Sequence, residues 1–251
     1  MLKVIKCKNI SPLKHGFFTR HGGVSLNVFK GLNCGKNSGD QTKAINKNLS
    51  LVKKYMSLSK GNLCCLKQIH SNNVIEITKS VPDQTIEADA MVSRASNIGL
   101  GILTADCVPL ILNDTNNKII GAAHVGWRGA SNNIVENTVS KMITLGADIA
   151  NIKTAIGRLI SQKHYEVGLE FKNIFVNKNL KYQIFFTPGH ADRFFFNLSA
   201  FISNSLKEIG ILHIDIVEEC TYENSSDFYS HRRVCQQGKN LFGRMITVIK
   251  Q

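Results

Sequence analysis

Three apolar runs follow one another between residues 98 and 124, separated only by short polar breaks. They cover residues 98–103, 108–112 and 118–124, and the first alternates large apolar with smaller residues, as a half-buried strand does. Strand runs that follow each other so directly favour a layered α/β or α+β fold with a mixed sheet over a strict β-α-β alternation.

Helical spacing of apolar residues predicts three helices, over residues 42–58, 131–145 and 197–207. Asn197 is a suitable N-cap for the third helix, and Gly210 is suited to close it. Apolar runs elsewhere predict the remaining strands, at residues 74–78, 151–156, 183–187, 211–217 and 244–249.

The length and composition are those of a globular protein, with 251 residues, 43% of them hydrophobic and 20% charged. Because no linker or repeat interrupts the chain, we predict a single domain over residues 1–251. The apolar runs are far shorter than the roughly 20 residues of a spanning helix, and the N-terminus lacks a signal-peptide core. We therefore expect a cytoplasmic protein with no membrane partner. Seven cysteines without a C-x-x-C pair argue against a disulfide framework.

The formal net charge of +13 could indicate a nucleic-acid partner. However, only eight of the 31 basic residues are arginines, and no Lys/Arg run exceeds two residues. Scattered lysines are more typical of background composition than of a nucleic-acid surface. We predict no nucleic-acid partner, and a non-enzymatic basic binding protein stays as an alternative.

Three reactive side chains lie near the ends of strand-like runs: His70, Cys107 and His124. Two imidazoles and one thiolate can hold zinc with a fourth position open, which is the ligand count of catalytic zinc, and copper accepts the same set. A Cys107–His124 pair for nucleophilic catalysis is an equal alternative. Ordinary packing of a buried cysteine and structural histidines is the third.

Trp127 and Arg128 follow His124 directly, between Gly126 and Gly129. The indole offers a stacking surface, the guanidinium a planar fork for phosphate, and the glycines let the backbone approach a ligand closely. Two carboxylates lie near the reactive side chains in the sequence, Asp89 and Asp106. They can orient the side chains of a site, or they can serve only as cap and turn residues.

A second polar, glycine-rich segment covers residues 16–25 and contains Arg20. Such a loop can bind an anion through backbone amides and the arginine, or it can be a turn with an exposed arginine. It has the spacing of neither a P-loop nor a dinucleotide fingerprint. The arginines near the C-terminus can recognise phosphate or lie on a solvated face: Arg232, Arg233 and Arg244.

Taken together, the motifs resemble the YfiH-type family of purine nucleoside phosphorylases, long called laccase-domain proteins. The resemblance covers nearly the whole chain. The matching segments, in order, are F-x-T-R-x-G-G-V-S at 17–25, K-Q-I-H at 67–70, A-D-A-M-V-S at 88–93, G-I-L-T-A-D-C-V-P-L at 101–110, A-A-H-V-G-W-R-G at 122–129, Y-E-V-G at 165–168, C-T-Y at 220–222 and S-H-R-R at 230–233.

The resemblance implies a single layered α/β domain with mixed β-sheets flanked by helices, similar to the catalytic domain of deamidating cytotoxins. It implies that His70, Cys107 and His124 are catalytic and hold a metal, usually zinc. The expected substrates are phosphate and purine nucleosides (adenosine, inosine, guanosine and methylthioadenosine), with adenosine deaminase activity as well. We expect Arg20, Arg128 and Trp127 to bind substrate, and a monomer or weak homo-oligomer.

Two other activities attach to similar proteins. Some relatives are implicated in editing peptidoglycan precursors that contain serine, so a Cys–His amidase is the alternative enzyme. The older polyphenol oxidase label is disfavoured, because multicopper oxidases need many histidines, often as H-x-H pairs. This chain has eight histidines and no H-x-H.

The chain departs from the family pattern at Arg158 and Leu159, where most relatives have Pro-Cys after Ile-Gly. If that cysteine lines the pocket, substrate preference changes; alternatively, Arg158 adds a contact to phosphate. His231 replaces the tyrosine usual in S-Y-R-R, which is a milder change.

Overall fold

A computed structural model describes residues 1–58, 62–78 and 86–251. It confirms the α/β class with mixed sheets flanked by helices. The helices are Thr42–Tyr55 (α1), Trp127–Ser131 (α2), Ile134–Thr144 (α3), Leu169–Val176 (α4), Leu198–Ile209 (α5) and His231–Gln236 (α6). The strands are Val4–Ile5 (β1), Lys14–Phe18 (β2), Leu63–Cys65 (β3), Val74–Glu76 (β4), Ala90–Ser93 (β5), Gly99–Thr104 (β6), Val108–Asp114 (β7), Ile119–Val125 (β8), Lys153–Ile156 (β9), Glu166–Gly168 (β10), Phe186–Pro188 (β11), Arg193–Phe196 (β12), His213–Ile216 (β13) and Met245–Lys250 (β14).

The strands of the described residues form three sheets. A five-stranded sheet has the order β1-β2-β14-β6-β3, and a six-stranded sheet has the order β13-β9-β7-β8-β5-β4. The five-stranded sheet is antiparallel except for the pair β3 with β6 at one edge. The six-stranded sheet is antiparallel at its centre and has a parallel pair at each edge, β13 with β9 and β4 with β5. A small antiparallel sheet, β10-β12-β11, lies beside them.

Alternation along β7 explains how the layers pack. Ile111 belongs to a buried cluster shared with side chains of the five-stranded sheet, such as Ile102 and Ile249. Its neighbours Leu110 and Leu112 point to the opposite face, because successive strand side chains alternate, and they join the cluster formed with α3 and α5. Helix α1 covers the outer face of the five-stranded sheet with Ile45, Leu49, Val52 and Met56. The result is four layers, helix, sheet, sheet and helices.

Most predicted elements are confirmed, with shifted ends. The third predicted helix begins after Asn197, whose side chain accepts from the Ala200 amide, and ends at Gly210 with φ of 103°. The strand expected at 183–187 is wrong in its first half, because Leu180–Phe185 form a 3-10 helix capped by the side chain of Asn179. Among the residues described, no helix is both long and apolar enough to cross a bilayer.

Candidate active site and metal centre

Cys107 and His124 meet because β7 and β8 pair antiparallel, with Val108 opposite Val125. Cys107 immediately precedes β7, and His124 is the second-last residue of β8. Because the start of β7 lies beside the end of β8, the thiol and the imidazole are close together. Asp106, the residue before Cys107, has φ of 85°. This left-handed conformation makes the sharp turn that connects β6 to β7 and exposes the cysteine at its tip.

His70 completes the group, as predicted from the sequence. The ligand atoms of His70, Cys107 and His124 all lie within 4.8 Å of one another, and the two imidazole centroids are 4.8 Å apart. His124 is buried, Cys107 is partly exposed and His70 is exposed. The three side chains therefore form a site that is anchored in the sheet and open on the His70 side.

Asp89 organises two of these three residues. Its carboxylate accepts the N–H of His124 Nδ1 at 2.8 Å, which leaves Nε2 of that ring for the site. It also accepts the backbone N–H groups of Ile69, His70 and Ser71 at 3.1, 3.0 and 2.6 Å, and the hydroxyl of Ser71 at 2.7 Å. Asp89 is fully buried. The segment that carries His70 is thus tied to the same carboxylate that orients His124.

The charges of the site follow from these contacts. Burial opposes protonation of His124, but the Cys107 thiolate and the Asp89 carboxylate outweigh it and raise its pKa to about 9. Loss of hydration, followed by repulsion from His124, lowers the pKa of His70 to about 4. Burial also opposes ionisation of Asp89, but hydrogen bonds from His124 and Ser71 hold its pKa at about 2. A neutral imidazole thus lies beside an ion-paired one.

The three donors fit a zinc ion. Tetrahedral zinc with bonds of about 2.0–2.3 Å needs ligand atoms about 3.5 Å apart, which small side-chain movements achieve from the separations in this structure. Gly126 leaves room for the group, because a Cβ there would stand 2.6 Å from His70 Nδ1 and 3.2 Å from Cys107 Sγ. Copper accepts the same donor set, so the donors alone do not select the metal.

A cavity of about 630 Å³ is lined in part by His70, Cys107 and His124. Its wall contains Trp127, Tyr165 and Phe171, with ring centroids 4.9 Å apart for Trp127 and Phe171 and 5.9 Å apart for Tyr165 and Phe171. Cavities of this size accept drug-sized molecules, and aromatic walls suit a flat heterocycle. Trp127 was predicted; Tyr165 appeared only inside a motif, and Phe171 carried no sequence signal.

The cavity also has a basic lining, formed by Arg128, Arg232 and Arg244. Each guanidinium lies over an aromatic ring of the same cavity, at 4.5 Å from the Trp127 centroid, 5.5 Å from that of Tyr165 and 5.0 Å from that of Phe242. Three guanidinium groups in one cavity attract an anion such as phosphate. Of these, only Arg128 was predicted as a substrate-binding residue, since the other two could equally have been on a solvated face.

Arg20 does not line this cavity, and its role in binding substrate stays a prediction. Its guanidinium donates to the carbonyl of Lys30 at 3.2 and 3.0 Å and to that of Ser225 at 2.9 Å, and it lies 4.5 Å from the Tyr229 ring centroid. The donors expected to hold an anion are thus used to join the glycine-rich loop to the C-terminal region.

The family departure at Arg158 is also outside the cavity. The side chain is buried, its Nε donates to Glu219 at 2.9 Å, and its guanidinium lies 4.8 Å from the Phe228 ring centroid. The Arg158 guanidinium is therefore directed toward Glu219 and Phe228, and it does not line the cavity.

The C-terminal motifs hold Asp106 in place. Its carboxylate accepts the Thr221 hydroxyl at 2.6 Å, the Ser230 hydroxyl at 2.9 Å and the Arg232 amide at 2.7 Å. Because Asp106 sets the turn before Cys107, segments distant in sequence fix the position of the thiol.

Comparison with known proteins agrees with this geometry. A family profile described as multi-copper polyphenol oxidoreductase laccase matches residues 14–251. The chain is similar to a Corynebacterium glutamicum protein named purine nucleoside phosphorylase, with 34% identity over 230 residues, 91% of this chain and 92% of the relative. A Rickettsia prowazekii relative of the same name is 37% identical over 174 residues, 68% of this chain and 71% of the relative. The crystal structure of the Bacillus licheniformis hypothetical protein YfiH superposes with a TM-score of 0.87 and 27% identity, covering 94% of this chain and 91% of that one.

Proposed function

The chain belongs to the YfiH-type family, whose profile is described as multi-copper polyphenol oxidoreductase laccase, and we propose that it is a purine nucleoside phosphorylase with adenosine deaminase activity. The substrates are adenosine, inosine, guanosine and methylthioadenosine, together with phosphate. Relatives that match most of the chain are named purine nucleoside phosphorylase, which supports this assignment.

The observation that carries the proposal is the content of one cavity. An aromatic wall for a purine, three guanidinium groups for a phosphate and the His70, Cys107 and His124 group all line the same space of about 630 Å³. A nucleoside and a phosphate must bind side by side for phosphorolysis, and this cavity offers a surface suited to each.

In phosphorolysis, a phosphate oxygen bonds to the sugar C1′ while the bond from C1′ to the purine nitrogen breaks. The base leaves with the bonding electrons and takes up a proton, and the other product is the sugar 1-phosphate. This is ribose 1-phosphate from adenosine, inosine and guanosine, and its 5-methylthio form from methylthioadenosine. We propose that Arg128, with Arg232 and Arg244, holds the phosphate, and that Trp127 packs on the nucleoside. Positively charged groups placed in advance around the phosphate help position it for attack.

Zinc held by His70, Cys107 and His124 would supply a Lewis acid at the edge of the cavity, and copper is a possible replacement. The protein's own part is to hold the three donors in place. Asp89 fixes the ring of His124 through its hydrogen bond to Nδ1, and such outer carboxylates orient metal-binding histidines.

A metal-independent amidase acting on peptidoglycan precursors is the second candidate, because one observation favours it. Cys107, His124 and Asp89 stand in the order of a nucleophile, a base and a carboxylate that orients the base. In this case the Cys107 thiolate bonds to the amide carbonyl carbon, the C–N bond breaks, and His124 gives its proton to the departing amine. Water then hydrolyses the thioester to the free acid and the thiol, and His70 has no direct part.

Product analysis by chromatography tests the proposal. Purified protein is incubated with adenosine, inosine, guanosine or methylthioadenosine, each with and without phosphate. We expect release of the free base to depend on phosphate, and some phosphate-independent conversion of adenosine to inosine. Turnover of no nucleoside would contradict the proposal. In that case, metal-free protein would be tested on a muramoyl amide. Cleavage that stops when Cys107 is alkylated would establish the amidase as the function in place of the phosphorylase.

A further inference from the structure

A second group of side chains with the chemistry to hold a metal is formed by His164, Cys220 and Glu223. Their ligand atoms all lie within 4.8 Å of one another, as those of the first group do. None of the three is among the side chains that line the cavity. We propose that these residues form a second zinc(II) site, separate from the candidate active site and independent of the proposed function.

Cys220 is prepared to act as a thiolate ligand. It is buried, and its Sγ accepts the backbone N–H of Ser161 at 3.3 Å. A hydrogen bond from a backbone amide stabilises negative charge on the atom that accepts it. Cys220 therefore has the environment that a zinc thiolate needs, although it lies outside the cavity where thiol chemistry was expected.

The imidazole of His164 is held in a defined position. It stacks on the Tyr222 ring, with centroids 4.4 Å apart and an interplanar angle of 27°. The Tyr222 hydroxyl in turn donates to Gln236 at 2.6 Å. Because the ring that supports His164 is itself fixed, the ligand loses little conformational freedom when it binds a metal.

Glu223 supplies the third ligand and the route for the ion. Its carboxylate is about half exposed, and Oε1 contacts both His164 Nε2 at 2.8 Å and Lys163 Nζ at 3.1 Å. The Lys163 side chain is 77% exposed, so it can leave without disturbing the fold. The Lys163 ammonium group lies beside the Glu223 carboxylate. A zinc ion would displace it from that carboxylate.

Zinc binding at this site would release one proton and leave the ligand charges balanced. The ion takes the thiolate of Cys220, whose proton passes to water, an unprotonated ring nitrogen of His164 and a carboxylate oxygen of Glu223. Thiolate and carboxylate together offset the two positive charges, and water fills the fourth position. One thiolate, one imidazole and one carboxylate are all accepted zinc ligands.

Metal counting tests the proposal. Full-length protein is stripped with a chelator, titrated with Zn²⁺ against a chromophoric competitor, and analysed for bound zinc. We expect two zinc ions per wild-type chain, one each in Cys107→Ala and Cys220→Ser, and none in the double variant. Cys235→Ser is the matched control, because that exposed thiol lies outside both groups, and it should keep two.

Two further variants separate a specific site from general damage. Glu223→Gln alters only a half-exposed side chain and should weaken the second zinc at least tenfold, with an unchanged melting temperature. Lys163→Met should tighten that zinc, since it removes a competing positive charge. One zinc per wild-type chain, lost in Cys107→Ala but kept in Cys220→Ser, would overturn the proposal. Weak binding that neither variant alters would likewise show adventitious zinc only.

Discussion

Asp89 accepts a hydrogen bond from Nδ1 of His124 at 2.8 Å while the same buried carboxylate accepts the backbone N–H of His70 at 3.0 Å. One side chain thus positions two histidines of the candidate site that are 54 positions apart in the chain. In addition, it compensates part of the cost of burying its own charge by accepting several hydrogen bonds. This arrangement makes Asp89 the main positioning residue of the candidate active site.

Asp89→Asn should lower zinc affinity at the first site about 10- to 100-fold, because an amide cannot accept all the hydrogen bonds that the carboxylate accepts. The titration is done in the Cys220→Ser background, so that only the first site is measured. Asp114→Asn is a suitable control, since Asp114 is also buried, accepts hydrogen bonds from Asn117 and Asp148, and does not line the cavity. Equal zinc affinity for Asp89→Asn and wild type would rule out the positioning role.

Gly126→Ala should abolish tight zinc binding at the first site without touching a ligand, because the new Cβ would lie 2.6 Å from His70 Nδ1. The imidazole cannot remain there, and the donors would separate. A Cβ at Gly129, three residues further along the chain, would meet nothing nearer than 3.2 Å, so Gly129→Ala should retain zinc. Retention of zinc by both variants would show that the donors do not converge as described.

Arg128→Ala should change the KM for phosphate, whereas Arg20→Ala should change the stability of the fold. Loss of the cavity guanidinium should raise the KM for phosphate at least tenfold, with little change in stability, because Arg128 is exposed. Loss of Arg20 removes hydrogen bonds to two carbonyls and should lower the free energy of unfolding by about 1–3 kcal/mol with KM unchanged. Steady-state kinetics and urea unfolding measure both. A raised KM in Arg20→Ala alone would return the anion site to the glycine-rich loop.

Asp227 should make part of the stability depend on pH. Burial opposes its ionisation, but hydrogen bonds from Lys3 and His21 hold its pKa below the usual value. Since the folded state favours the ionised form, the stabilisation is present at neutral pH and disappears as the pH falls through the ordinary carboxyl range near about 4 and below. Asp227→Asn should therefore lose about 1–2 kcal/mol at pH 7, and the difference from wild type should shrink in acid. If the stability difference between wild type and Asp227→Asn instead grew in acid, the folded state would favour the protonated carboxyl, which would contradict this prediction.

The strand pattern between residues 98 and 124 was sufficient to predict a mixed sheet. The antiparallel pairing of β7 with β8, which brings Cys107 to His124, was not predicted. The small strands β10 and β12 and helix α4 could not be predicted, because their few residues are stabilised by packing among aromatic rings from distant segments. Periodicity within such short segments is too brief to indicate their structure.

The grouping of His70, Cys107 and His124 was predictable and much of the cavity was not. His70, Cys107 and His124 lie in distinctive motifs, whereas Phe171 reaches the cavity only through the position of α4. Arg20 shows the converse: a motif residue with suitable chemistry is used for structure, because its donors are satisfied by nearby carbonyls. Sequence indicates which chemistry a side chain can do, and tertiary contacts determine which atoms it faces.

The most direct test of the central claim is the fate of inosine, which has no amino group at C6 to lose and so reports phosphorolysis alone. Zinc-loaded protein is incubated with inosine with and without phosphate, and hypoxanthine and ribose 1-phosphate are measured together. The account predicts equal amounts of both products, formed only with phosphate and lost in Cys107→Ala. Hypoxanthine released without phosphate, or at the same rate by Cys107→Ala, would contradict it.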